Sequence, residues 1–240
     1  MKQNIVFLTG AGISVESGLT TFRGNGGMWD EYPVEQVASH TGWLRDPALV
    51  TRFYNGMRTR MADIHPNQAH VIMAQMEQRH NVRVITQNVD DLHERAGSHN
   101  VLHLHGELMK VCSSADVENP RYWKTLTPET GVVEPGTKAG DGSLLRPYIV
   151  FFEEPVPNIE PAIRLVEKAD IMVVVGSSLV VYPAAGLIRY VRPGTPIYVI
   201  DPSPVNVDVP NVTFIRETAS KGMEVFEEVI KLESYKVIKL

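Results

Sequence analysis

Residues 4–24 read NIVFLTGAGISVESGLTTFRG. The apolar run NIVFL meets a cluster in which Gly10, Gly12, Gly18 and Gly24 are spaced among small and hydroxyl side chains, with Arg23 near its end. Apolar residues that do not alternate with polar ones predict a strand buried on both faces. Gly10-Ala11-Gly12 directly after it lets the backbone pass close to a pyrophosphate. The helix start expected next offers free N–H groups and a positive dipole end to the phosphates. Glycine also serves turn geometry alone, so this stretch points to a phosphate-bearing ligand and leaves its chemistry open.

The pattern recurs in VRVITQN (82–88), DIMVVVG (170–176) and PIYVID (196–201), while NQAHVIMAQMEQRH (67–80) has apolar residues at helical spacing. This alternation predicts an α/β fold, a parallel sheet with crossover helices. Two segments interrupt it. Residues 30–64 read as helices and turns, and residues 112–143, rich in Gly, Pro, Thr and Ser, read as a loop-dominated excursion. ETASKGMEVFEEVIKL (217–232) is expected to close the domain as an amphipathic helix.

Composition bounds the possibilities. The 240 residues are 43% hydrophobic and carry a net charge of −5, so neither nucleic acid nor an anionic membrane is expected as a partner. The single cysteine, Cys112, excludes an intramolecular disulfide and a multi-cysteine zinc site. One free thiol suits a reducing, cytoplasmic compartment. MKQNIVFL lacks the long apolar region and cleavage site of a secretory signal. No apolar stretch approaches the roughly 18 residues of a membrane span.

An ordinary dehydrogenase fingerprint does not fit. Its third small residue would fall where Val15 stands, and its acid would end a second strand about twenty residues on. Asp30 and Glu31 lie at that distance but follow GNGGMW, which is no strand. The chemistry must come from elsewhere. Gln87, Asn88 and Asp90 sit at a strand's carboxyl end, where open α/β sheets bind ligands. Their amides can donate and accept, which suits a carboxamide or ribose hydroxyls. Asp91 reads as a helix cap. His103 and His105 alternate, so on a strand they would share one face, and one of them is a candidate general base. Gly176, Ser177 and Ser178 form another turn at the same sheet edge, and Asp201 is a candidate for the adenosine ribose.

Together GAGISVESG…TFRG (10–24), TQNVDDLHERAG (86–97), HLHGEL (103–108), LLRPYIVFFEE (144–154) and GSSLVVYPAAG (176–186) resemble the sirtuins, the NAD-dependent protein lysine deacylases. The resemblance implies a Rossmann-like large part (1–29, 65–111 and 144–240) carrying a smaller domain from insertions 30–64 and 112–143. It implies NAD as a co-substrate, held by Gly10, Ala11, Gly12, Ile13, Glu16, Thr21, Phe22, Arg23, Gln87, Asn88, Asp90, His105, Gly176, Ser177, Ser178 and Asp201. Asn88, Asp90 and His105 would be catalytic, with His105 as the base. An acylated-lysine protein or peptide would lie extended between Val150, Phe151, Phe152, Glu153 and Val180, Val181, by strand addition. The products would be free lysine, nicotinamide and O-acyl-ADP-ribose.

Three departures from the family pattern follow. Of the four cysteines that usually hold a structural zinc only Cys112 is present, so no zinc is expected, and the insertion must pack by itself through Tyr122 and Trp123. A Tyr followed three residues on by Arg marks members that accept acidic acyl groups. Here Tyr54 is followed by Met57, with Arg58 one position later and about 100° further round a helix. Either a local irregularity restores Arg58 to the acyl site or acid recognition is lost, and broad deacylation that includes acetyl is expected at Tyr54, Met57 and Arg58. Glu153 stands where glycine is common, which removes backbone freedom beside the peptide. The alternatives are mono-ADP-ribosyl transfer and a non-catalytic NAD- or ADP-ribose-binding module.

Overall fold

A computed structural model describes residues 2–20 and 33–238. Strands β1 (Asn4–Thr9), β2 (Asn81–Thr86), β3 (Val101–His103), β7 (Ile171–Val175), β8 (Ile197–Ile200) and β9 (Val212–Ile215) form one parallel sheet in the order β3-β2-β1-β7-β8-β9. Strands β4 (Gly106–Ser113), β5 (Lys124–Thr125) and β6 (Leu145–Ile149) form a separate antiparallel sheet in the order β5-β4-β6.

The large sheet is covered on both faces, which accounts for the uninterrupted apolar strands. On one face Ile5, Phe7, Val173 and Val175 pack with Met73, Met76, Met223 and Phe226 of the helices Gln68–Met76 and Ala219–Ile238. On the other, Val6, Leu8, Met172 and Val174 meet Ala162 and Val166 of the helix Ile159–Val166, with Leu187 beside them. The strand order reverses between β1 and β7, and there the carboxyl ends of two neighbouring strands open a crevice.

Two expectations are corrected. The glycine turn leads into a 3₁₀ helix, Ala11–Ser17, not a regular α-helix. The stretch 112–143 also contains ordered structure, because β5 and the end of β4 belong to the small sheet. Val111, Leu126 and Val133 form its small core. Trp123 packs on Tyr148 with ring centroids 4.7 Å apart, and Lys110 Nζ lies 5.0 Å from the Trp123 ring centre. Tyr122 lies against Gly140. The insertion 30–64 contributes the helices Val34–Val37, His40–Arg45 and Pro47–Met61. Trp43, Phe53 and Tyr54 from these helices join Leu108, Ile149 and Phe151 in a third cluster.

Candidate active site

The two turns at the crevice interlock. Gly10 N donates to Val175 O at 3.1 Å, and Gly12 N donates to Gly176 O at 2.8 Å. A Cβ on Gly12 would stand 2.7 Å from Gly176 Cα, and one on Gly176 would stand 2.2 Å from Ile13 N. Gly176 also has φ of +60°, in the left-handed region. Only two chains without side chains at these points can approach so closely. Together they floor a 670 Å³ cleft, a volume in the range of cofactor and substrate pockets.

Gly10, Ala11, Gly12, Glu16, Gln87, Asn88, His105, Val150, Phe151, Phe152, Glu153, Gly176, Ser177, Ser178, Val181 and Asp201 line this cleft, as do Tyr54 and Met57. Thr21, Phe22 and Arg23 lie outside the described residues. Ile13 is fully buried in the core beneath the turn. Val180 is exposed beside the cleft wall, where its neighbour Val181 takes the lining position. Asp90 and Arg58 line a second cavity, behind the segment 87–91.

The strand end at residues 87–90 is tightly cross-linked. Gln87 Nε2 donates to Ser177 Oγ at 2.8 Å, tying β2 to the turn after β7. Asn88 Nδ2 lies 3.2 Å from Gly10 O and 3.2 Å from Ser14 Oγ. Ser14 Oγ in turn donates to Asp90 Oδ2 at 3.2 Å, and Leu92 N donates to Asp90 Oδ1 at 3.2 Å. Burial of the Asp90 carboxyl raises its pKa to about 6 against these donors. Sequence reasoning missed Ser14, whose hydroxyl joins two of the three candidate catalytic side chains, Asn88 and Asp90; its place in the glycine turn was the available signal.

The two histidines do not share a face. His105 Nδ1 meets Gln87 O at 2.9 Å and His103 Nδ1 meets Asn88 O at 3.0 Å, yet His105 opens to the main cleft and His103 to the second cavity. The reason is that β3 ends at His103, so the strand alternation does not carry through to residue 105. A carbonyl only accepts, so Nδ1 of His105 carries a proton and Nε2 is its basic nitrogen. Burial lowers the pKa of His105, with the Gln87 bond opposing, so the ring is neutral and able to accept a proton. Burial also disfavours charge on His103, but its bond to Glu94 at 2.9 Å and the Glu94 charge outweigh this and raise its pKa.

At the cleft's other edge, Phe152 N donates to Ala38 O at 2.8 Å and His40 N donates to Phe152 O at 3.0 Å. Glu153 has φ of +78°, the conformation that glycine would adopt without strain. Its carboxylate accepts from Thr41 N at 2.9 Å and Thr41 Oγ1 at 2.8 Å, fastening it to the start of the helix His40–Arg45. Glu154 binds the buried Arg146 at 2.7 and 3.0 Å and His40 at 2.9 Å. The Glu16 carboxylate caps the C-terminal helix, accepting from Ser220 N at 2.8 Å. Asp201 Oδ1 accepts from Ser203 N at 2.8 Å.

The donor set for a structural zinc does not fit. Cys112, the only cysteine, is buried, with its thiol pKa pushed up to about 12 by burial. No three His, Cys, Asp or Glu side chains among the described residues group around a metal position. Nor is any described helix long and apolar enough to cross a membrane.

Known proteins resemble this chain along most of its length. The Sir2 family model matches residues 10–183. A protein of Bacteroides thetaiotaomicron named NAD-dependent protein deacylase is 56% identical over 229 residues, spanning 95% of this chain and 98% of its own. A Sir2 homologue mutant solved with ADP-ribose superposes with a TM-score of 0.86 at 38% identity, covering 96% of this chain and 93% of that one. A Sir2 structure with a p53 peptide and NAD+ has a TM-score of 0.78 at 31% identity, covering 95% and 93%.

Proposed function

The chain belongs to the Sir2 family, and from that premise and the cleft we infer that it removes acyl groups from protein lysine side chains with consumption of NAD. The observation that carries the reading is one cleft holding both interlocked glycine turns, the amides of Gln87 and Asn88, and the neutral imidazole of His105.

The residues divide the work as follows. The Ala11 backbone N–H, between Gly10 and Gly12 whose own N–H groups bind Val175 O and Gly176 O, and the hydroxyls of Ser177 and Ser178 hold the pyrophosphate side, and Asp201 holds the adenosine ribose. Asn88, fixed by Gly10 O and Ser14, engages the nicotinamide end with Asp90 behind it. Nε2 of His105 would take the proton of a ribose hydroxyl after the acyl oxygen has displaced nicotinamide from the anomeric carbon; that hydroxyl attacks the acyl carbon, and water and cleavage of the acyl C–N bond then release free lysine and O-acyl-ADP-ribose. An acyl-lysine peptide lies between residues 150–153 and 180–181. Asp90 borders the second cavity, and Val89 borders both.

We read segments 1–29, 65–111 and 144–240 as the large, NAD-binding part and insertions 30–64 and 112–143 as the small domain, of which 30–64 lines the cleft through Ala38, Phe53, Tyr54 and Met57. We read the small sheet as holding without zinc, on the packing of Trp123, Tyr148 and Lys110. A cytoplasmic location is part of the same reading and rests on the single cysteine.

The test is purified protein with NAD and an acyl-lysine peptide, followed by mass spectrometry. Free lysine peptide and O-acyl-ADP-ribose, appearing only with NAD, support the reading. NAD cleavage with the peptide still acylated would replace it by ADP-ribosyl transfer or hydrolysis.

A further inference from the structure

We propose that His103, to which the deacylase reading gives no part, is a positioning residue for the NAD-cleaving step: clamped as an imidazolium between Glu94 and the Asn88 carbonyl, it fixes the strand end that presents Asn88 to the cleft. The proposal rests on the deacylase reading and adds to that site a residue acting from the second cavity.

His103 is the last residue of β3. Its backbone pairs with Thr86 of β2, and Asn158 Nδ2 donates to its carbonyl at 2.8 Å. The ring is buried, with Nδ1 3.0 Å from Asn88 O and Nε2 2.9 Å from Glu94 Oε1. A carbonyl and an ionised carboxylate only accept, so both bonds form together only when both ring nitrogens carry protons. Asn88 is then held at three points. His103 binds its O, its N donates to Thr86 Oγ1 at 3.1 Å, and its Nδ2 meets Gly10 O and Ser14 Oγ. Of these, the His103 bond is the one that a titrating side chain supplies.

The charged groups around His103 come from several elements. Burial disfavours charge on the ring, but Glu94 of the helix Leu92–Arg95, the Asn88 bond and Glu107 of β4 outweigh it and raise the pKa. His93, on the same helix as Glu94, is kept neutral chiefly by its own burial. The Asp90 carboxyl is raised by burial, and His103 is among the groups that oppose this. Asp91, Arg95 and Arg58 also line the second cavity; Arg95 pairs with Asp91 at 3.6 Å, and Arg58 donates to Leu108 O. The clamp thus joins a proton site in the second cavity to an amide in the main cleft. Precision there matters, because a misplacement of about 1 Å can lower a rate by about 10²-fold.

The experiment has two arms. In the full chain carrying isotope-labelled histidine, NMR of the ring nitrogens reads their protons as pH is varied. His103 is expected to hold both protons at pH 6.5 and to lose one only above it, and Glu94→Gln should move that titration down in pH. A wild-type ring that holds mostly one proton at pH 6.5 would overturn the clamp, whether or not any variant folds. The second arm follows nicotinamide release from NAD with an acetyl-lysine peptide. His103→Ala should lower kcat by about tenfold and leave the peptide KM within about twofold. His103→Asn, whose amide N–H can stand where Nδ1 stands, should recover most of the loss, while His103→Leu, which restores bulk alone, should not. Equal kcat in wild type and folded His103→Ala, or recovery as full with leucine as with asparagine, would overturn the positioning role. If nicotinamide is released while the peptide stays acylated, the deacylase reading fails, and the same variants still decide the role of His103.

Discussion

Nδ1 of His105 lies 2.9 Å from the backbone oxygen of Gln87, so the tautomer of the candidate base is set by the main chain of the strand end beside it. The Gln87 side chain meanwhile reaches Ser177 at 2.8 Å. One residue thus orients the base with its carbonyl and ties β2 to the opposite glycine turn with its amide.

His105→Ala should lower kcat by about 10²–10⁴ while NAD binding, measured by calorimetry, persists. Because burial holds the His105 pKa below the usual 6.5, the base is already unprotonated at neutral pH. Activity should fall only as pH drops below 6.5. An acid limb in kcat/KM centred above pH 7 that disappears in the variant would contradict this assignment.

The Asp90 pKa, raised by burial to about 6 from an ordinary 3.8, makes its charge a cost to folding. A raised pKa contributes stability below the unfolded value that is lost as pH rises through the folded one. Asp90→Asn should accordingly be more stable than wild type at pH 7.5, by about 2–3 kcal/mol before any lost hydrogen bonding. The difference should shrink toward pH 4, and activity should drop. Urea titrations at the two pH values read it; equal differences at both would rule out the carboxyl's charge as the cause.

Arg146 is almost wholly buried, pairs with Glu154 and stacks 4.0 Å from the Phe151 ring centre. Arg146→Ala should cost about 3–5 kcal/mol in denaturant unfolding, since it leaves the half-buried Glu154 carboxylate without its buried cation and with only His40 and Phe151 N still bound to it. Burial tends to raise the Glu154 pKa, but bonding and attraction from Arg146 outweigh this and lower it. The stability it contributes is present above the ordinary 4.5 and is lost as pH falls through the lower folded value. Arg146→Ala should therefore lose less stability than wild type on acidification. An unchanged acid profile would count against the pair.

Glu153 combines a left-handed backbone with two bonds to Thr41. Glu153→Ala keeps the strain and loses the bonds, so its Tm should fall by about 2–4 °C. Glu153→Gly removes strain and bonds together and should lie closer to wild type. Calorimetric scans that rank glycine below alanine would refute the account.

The large sheet was legible in the sequence because strands buried on both faces need unbroken apolar runs, as in NIVFL and IMVVV. The site edge was legible for a related reason: Gly10, Gly12 and Gly176 occupy positions where any Cβ would meet backbone. The small sheet was not. Lys124–Thr125 is a two-residue strand with both side chains exposed, so neither length nor alternation marks it. Its existence depends on pairing with β4, a partner brought in by the fold.

The sequence by itself determined the parallel α/β core, the glycine turns and the set of polar residues at the strand ends, since periodicity and chain geometry are local properties. Tertiary structure decided what those residues face. His103 and His105 part company because β3 stops between them, Ser14 joins Asn88 to Asp90 across the turn, and Arg58 turns to the Leu108 carbonyl while Met57 remains in the cleft. Direction and partner are fixed only when separate segments pack, because a buried polar group must find its hydrogen bonds wherever the fold supplies them.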